Sequence, residues 1–141
     1  MTLILDTDHV VEFQKGTSKE SLRLKERLVA QGEPFGTTIV TVEEMMRDWM
    51  AALRRARNPR AQIGGYFRLY QLFRFFATWH VLDWNEPAAD RYDSLKRGGA
   101  KVGTMDLKIA GIALANDATL LTRNSSDFEN IPGLHIEDWL S

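Results

Sequence analysis

The residues of this chain with the most chemistry to offer are acids. Asp6 and Asp8 follow a short apolar run, Glu43 and Glu44 follow Thr41, Asp106 comes just after Thr104, and Asn124-Ser125-Ser126-Asp127 forms a polar stretch near the end. Cysteine is absent and the three histidines, His9, His80 and His135, are far apart in sequence. Disulfides and thiolate catalysis are therefore excluded, and a structural zinc site is disfavoured. Carboxylates crowded together repel one another and resist desolvation, so such a cluster usually holds a cation or shares a proton. Ligands that are all oxygen favour a hard ion, Mg²⁺ or Mn²⁺. A carboxylate-held ion at an open edge suits phosphodiester hydrolysis, where it activates water and neutralises charge on the phosphoryl group. Each acid also has a plain structural use. Asp8 can be a helix N-cap, Glu44 the capping-box partner of Thr41, and Asp106 a first-turn acid facing a helix dipole. Whether the fold gathers them decides between these readings.

The pattern of elements says that it does. Leu3-Ile4-Leu5 reads as a buried strand, and His9 to Lys15 as a short helix ended by Gly16. Thr17-Ser18-Lys19-Glu20 has capping-box spacing before a helix whose apolar stripe is Leu22, Leu24, Leu28 and Val29, up to Gly32. Gly36 to Val40 is a second, β-branched strand, and Thr41-Val42-Glu43-Glu44 opens a helix that runs down before Pro59. Gln62 to Ala77 is a helix rich in aromatics. Trp79 to Leu82 is a third strand, and Asn85 with Pro87 starts a helix ending at Gly98-Gly99. Thr104 can cap the helix Met105 to Ala115, in which Gly111 allows close packing. Thr119 to Thr122 and Leu134 to Ile136 are the fourth and fifth strands. Alternating strands and helices predict one α/β domain over residues 1–141, a three-layer α/β/α sandwich on a mostly parallel sheet of about five strands. In such a fold the strand ends and the following helix N-termini share one edge, where ligands bind. Asp6, Asp8, Glu43, Glu44, Asp106, Asn124 and Asp127 all fall on that edge.

The 141 residues are 44% hydrophobic and 26% charged, the balance of one ordinary soluble domain with a sizeable core. No apolar stretch approaches the ~20 residues needed to cross a bilayer, and the acid at Asp6 interrupts any leader-like run, so a cytoplasmic protein without membrane contact is expected. The net charge is −1, yet the segment from Arg47 to Arg74 holds seven arginines against one acid, Asp48. That run is either a solvated helix face or a surface for phosphates or acidic peptide. Its helix starts at the acidic edge, which makes Arg54, Arg55, Arg57 and Arg60 candidates for RNA binding. Tyr66, Phe67, Tyr70, Phe73, Phe75 and Phe76 predict a helix buried on more than one side, in core or dimer packing rather than base stacking.

Leu5-Asp6-Thr7-Asp8, Thr38 to Met45, Val102 to Ala110 and Ala118 to Leu134 together resemble the PIN-domain ribonucleases, and among them the VapC toxins of type II toxin–antitoxin systems. The pieces are similar to the family's LDTN, T-x-x-E-L, IGxxDLxIA and ATLVTxNxxxFxxVPGL, in that order and from end to end. The resemblance implies a Mg²⁺- or Mn²⁺-dependent endoribonuclease with metal-binding carboxylates at Asp6, Glu44 and Asp106. It implies a fourth acid where this chain has Asn124, with Asp127 as a substitute, and Asp8 stands where Asn is common. It also implies RNA as substrate, tRNA among the candidates, a cognate antitoxin and a homodimer. Two other readings compete. Asp6-Thr7-Asp8-His9-Val10 fits the D-x-D-x-V of haloacid-dehalogenase-type phosphatases, with Thr41 and Lys108 available as partners, though the later acid pair is missing. A catalytically inactive PIN-like module that binds RNA or protein is kept open by Asn124.

Overall fold

Five strands form a parallel sheet in the order β3-β2-β1-β4-β5: β1 Leu3–Leu5, β2 Phe35–Thr38, β3 Val81–Leu82, β4 Thr119–Leu121 and β5 His135–Glu137. A computed structural model describes residues 2–141. Crossovers between parallel strands need helices, and these are α1 (Thr7–Lys15), α2 (Lys19–Gln31), α3 (Ile39–Arg55), α4 (Ile63–Ala77), α5 (Glu86–Arg97), α6 (Thr104–Ala115) and α7 (Ser125–Phe128). A 3₁₀ turn, Arg60–Gln62, joins α3 to α4. Among the described residues no helix is long and apolar enough to cross a membrane.

Both faces of the sheet are covered, as an all-parallel sheet requires. Ile4 and Leu120 point into a core with Ala88 and Leu95 of α5 and Ile109 and Ile112 of α6. Their neighbours Leu3, Leu5 and Leu121 point the other way, onto Val10 of α1, Leu24 and Leu28 of α2, and Leu72 and Phe76 of α4. This period-two alternation feeds two cores from one strand. α5 and α6 approach closely because Gly111 has no side chain: a Cβ there would lie 2.9 Å from the Ala88 carbonyl oxygen. The chain lays down β1, β2 and β3 outward, then returns to place β4 on the other side of β1, so the topological switch lies between β1 and β4. Leu5 pairs with Leu121, which brings Asp6 and Thr122 out of the sheet side by side.

Several local expectations shift. β2 stops at Thr38, because the Thr38 hydroxyl caps α3 by accepting from the Thr41 amide at 3.1 Å. The β-branched Ile39 and Val40 are thus helical, and Glu44 stands in the second turn instead of closing a capping box. α2 is capped by Ser18 rather than Thr17, and Leu22 and Val29 are exposed while Leu24 and Leu28 are buried. Gly103 precedes α6 and no side chain caps it, so Thr104 is its first residue. α4 is not buried all round. Leu72 and Phe76 face the core, whereas Tyr66, Phe67, Tyr70 and Phe73 are 54–64% exposed, because helical spacing puts them on the opposite side and no further layer covers it.

Candidate functional site

Asp6 ends β1 and caps α1. Its Oδ1 accepts from the Thr7 amide at 2.8 Å and its Oδ2 from the Thr122 hydroxyl at 2.7 Å. Only 6% of the residue is exposed. Burial raises its pKa, the Thr122 hydrogen bond works against that, and the nearby charge of Asp8 adds to it. Glu44, on α3, is half-buried, and its pKa is raised from 4.5 to about 7 by burial and then by the charges of Asp6 and Asp106. Asp106, in the first turn of α6, is raised from 3.8 to about 6 by burial, by the charges of Asp6 and Asp127, and by a hydrogen bond with Asp127. Asp6, Glu44 and Asp106 therefore come from three separate elements into one electrostatic cluster.

The cluster fits a cation by its unmet needs. Glu44 Oε1 is buried without a hydrogen-bond partner, and so is the hydroxyl of Thr7 beside Asp6. All three acids are held less ionised than in water, the condition that a divalent charge reverses. Among the described residues, no three or more His, Asp or Glu side chains are drawn in close enough to grip one ion directly.

The remaining candidates divide. Asn124 and Asp127 act as a pair: the Asn124 side-chain amide donates to Asp127 Oδ2 at 2.7 Å, and Asp127 bonds to Asp106. Asp8 is spent on structure. His9 is fully buried, its Nε2 accepts from the Trp139 amide at 3.1 Å, and its Nδ1 proton therefore goes to Asp8 Oδ1 at 2.6 Å. The other oxygen, Asp8 Oδ2, accepts from the Arg123 amide at 3.0 Å. This argues against the phosphatase reading, which needs a free acid at Asp8. Thr41 is likewise bonded to Thr38, and Lys108 lies over the Trp84 ring. Glu43 pairs with Arg47 on the exposed side of α3. Arg54, Arg55, Arg57 and Arg60 are all solvent-accessible, but Arg54 lies about 15 Å along α3 from Glu44 at helical rise, and the others lie further along the chain.

Thr122 and His9 are the site residues that sequence reasoning passed over. Thr122 orients Asp6 and is itself fixed by the Asn124 amide at 3.0 Å. The sequence places it inside the fourth strand, as the threonine of the ATLVTxN-like stretch, whereas β4 ends at Leu121 and leaves Thr122 at the sheet edge beside Asp6. His9 carries no sequence mark at all.

The PIN domain family model matches residues 3–134. The tRNA(fMet)-specific endonuclease VapC of Salmonella typhimurium is 38% identical over 69 residues, 46% of this chain and 52% of that protein. Ribonuclease VapC2 of Rickettsia felis is 33% identical over a segment of the same length, again 52% of that protein. The chain thus spans about half the length of the curated relatives it matches. Over the whole fold it is similar to DNA-bound VapBC from Salmonella typhimurium, with a TM-score of 0.74 and 26% identity across 99% of this chain and 98% of that one. It is equally similar to VapBC-1 from nontypeable Haemophilus influenzae, with a TM-score of 0.75 and 25% identity across 100% of both chains. With the family model covering nearly every element and a parallel sheet that brings Asp6, Glu44 and Asp106 to its switch point, the chain belongs to the PIN domain family.

Proposed function

We propose that the protein is a metal-dependent endoribonuclease, the toxin of a type II toxin–antitoxin system, which hydrolyses RNA phosphodiester bonds. The observation that carries this reading is the convergence of three carboxylates from three elements, each with its ionised form disfavoured first by burial, with Glu44 Oε1 left without a partner among them. The names of its VapC relatives support RNA as the substrate, and the tRNA(fMet)-specific relative makes tRNA the first target to try. Asp6, Glu44 and Asp106 hold Mg²⁺ or Mn²⁺, which when bound supplies an activated water and countercharge for the phosphoryl oxygens. Thr122 fixes the rotamer of Asp6, and the Asn124–Asp127 pair orients Asp106 from the other side. Arg54, Arg55, Arg57 and Arg60 bind the RNA backbone remote from the cut, as accessible cations suited to phosphate contacts.

A cognate antitoxin and a second copy of the chain are the protein partners, and the cytoplasm is where they meet. The uncovered aromatic face of α4 supports a protein contact of this kind, being too large an apolar surface to leave in water. The test is cleavage of structured RNA, tRNA included, by the purified protein. Activity is expected with Mg²⁺ or Mn²⁺, none with EDTA, and a loss of at least about a hundredfold in Asp6→Ala and Glu44→Ala. Wild-type cleavage by these variants, or RNA binding by wild type without any cleavage in Mn²⁺, overturns the reading; the second result identifies an inactive binding module.

A further inference from the structure

Next to the acids lies a cavity of about 390 Å³, between the end of α5 and the segment carrying α7, walled by Leu95, Gly98, Lys101, Ser126, Asn130 and Ile131. Asp127 stands on its rim and bonds to both Asn124 and Asp106, so the cavity opens one residue away from the carboxylate cluster. Its volume falls in the range of pockets that take one small molecule, about 300 Å³ and upward. One wall is the Gly98-Gly99 turn, which offers only backbone, and Gly99 holds the φ of +84° that glycine tolerates best. Leu95, Ala100, Val102, Ile131 and Pro132 are the apolar residues of the lining. A bare backbone wall with apolar side chains around it suits a flat ring. Ser126 and Asn130 make no side-chain hydrogen bond among the described residues, and Lys101 makes no ion pair. They leave donors and acceptors unspent for the edge of that ring.

We infer that this cavity is a nucleoside subsite, which receives one unpaired base of the RNA beside the phosphate being cut and sets the base preference there. The inference rests on the ribonuclease reading for its biological use but not for its test. Single-stranded RNA is read in this way, by base faces against flat or apolar walls and by hydrogen bonds to base edges. Asp127 on the rim disfavours an anion inside, so the neutral base enters, and its phosphate stays outside, toward the cluster. Lys101 offsets part of the rim's negative charge.

The test is titration of the full chain with each of the four ribonucleosides, without metal, followed by amide chemical shifts. Shifts are expected at Gly98 to Val102, Ser126 and Asn130, larger for one base than for the others. Asn130→Ala should weaken the preferred nucleoside by roughly fivefold to tenfold, the loss of one hydrogen bond, and Ser126→Trp should block it. Both positions are exposed, so wild-type folding is expected, and Lys101→Gln provides a third variant that removes no packing. Mapping of cut sites in a random-sequence RNA should then show the base at one flanking position relaxed in Asn130→Ala and Ser126→Trp, with Mn²⁺ affinity unchanged. Absence of shifts in this segment, or an unaltered base distribution in both variants, overturns the subsite. If wild type cuts no RNA, the ribonuclease reading fails, and the nucleoside titration still decides whether the cavity binds a base.

Discussion

Asp106→Asn should make the metal-free protein more stable at neutral pH. At face value, keeping Asp106 ionised where its pKa is about 6 rather than 3.8 costs the fold about 3 kcal/mol. The side chain is only half-buried, and solvent screening reduces the cost to about 1–2 kcal/mol. The dipole at the start of α6 favours an acid by roughly 0.3–1 kcal/mol, which trims the gain without reversing it. Asn is neutral at every pH, keeps a hydrogen-bonding group toward Asp127, and relieves Glu44 of one of its repelling charges. Because the folded pKa lies above the unfolded one, protonated Asp106 adds stability that is complete below 3.8 and lost as pH rises through about 6. The variant should therefore melt higher than wild type by roughly 1–6 °C in EDTA at pH 7.5, with an advantage that shrinks as pH falls through 6 and is gone below 3.8. Added Mn²⁺ should invert the order. Wild type gains about 3 kcal/mol at a hundredfold excess over the dissociation constant, and the variant, short of one ligand, gains less. Thermal melts of both proteins with EDTA and with Mn²⁺ decide it. If Asp106→Asn melts at or below wild type in EDTA and rises equally with Mn²⁺, Asp106 is an ordinary first-turn acid.

Thr122→Val removes the hydroxyl that donates to Asp6 Oδ2 and accepts from the Asn124 amide; about 1–3 kcal/mol of stability should be lost in urea titrations. Its loss also lets the Asp6 pKa rise further, so Mn²⁺ affinity should fall more at pH 6 than at pH 8. His9→Leu strands Asp8 Oδ1 and the Trp139 amide, costing a similar ~1–3 kcal/mol, and His9→Asn should recover part of this by restoring a donor to Asp8; equal melts for the two variants refute that role. Replacing Arg54, Arg55 and Arg57 together by Ala should weaken RNA binding on all sequences and lower the salt slope by about one for each phosphate no longer neutralised, while Mn²⁺ affinity is unaltered. An unchanged slope returns these arginines to a solvated face.

The α/β architecture was legible because its strands are short apolar runs cut off by polar residues, as Leu3-Ile4-Leu5 is by Asp6, with strongly patterned helices between them. Boundaries were less so wherever two devices compete. At Thr38 to Glu44 both Thr38 and Thr41 can cap a helix, and β-branched Ile39 and Val40 favour a strand; the Thr38 hydroxyl prevails, and Glu44 moves from a capping position to one where an oxygen is left bare. The edge that gathers Asp6, Glu44 and Asp106 follows from strand-then-helix order, yet the order of strands does not, and with it went the neighbourhood of Asp6 and Thr122. Asp8 shows the converse: near in sequence to the key acid, it is consumed by His9 and by the Arg123 amide just after β4, and the C-terminal segment fixes the His9 tautomer through the Trp139 amide. The exposed row on α4 escaped because composition records that a residue is apolar but not whether a layer exists to cover it.

The most direct measurement of the central claim is calorimetry of Mn²⁺ binding in buffers of different ionisation heat, which counts the protons released. With Glu44 titrating near 7 and Asp106 near 6, the metal-free site at pH 6.5 carries about one proton between them, and at pH 8.5 almost none. Binding should therefore expel about one proton at pH 6.5, close to zero at pH 8.5, and tighten as pH rises. Binding that releases no proton at pH 6.5, or that persists unchanged in Glu44→Ala and Asp106→Ala, would contradict the assignment of these carboxylates as one divalent-ion site.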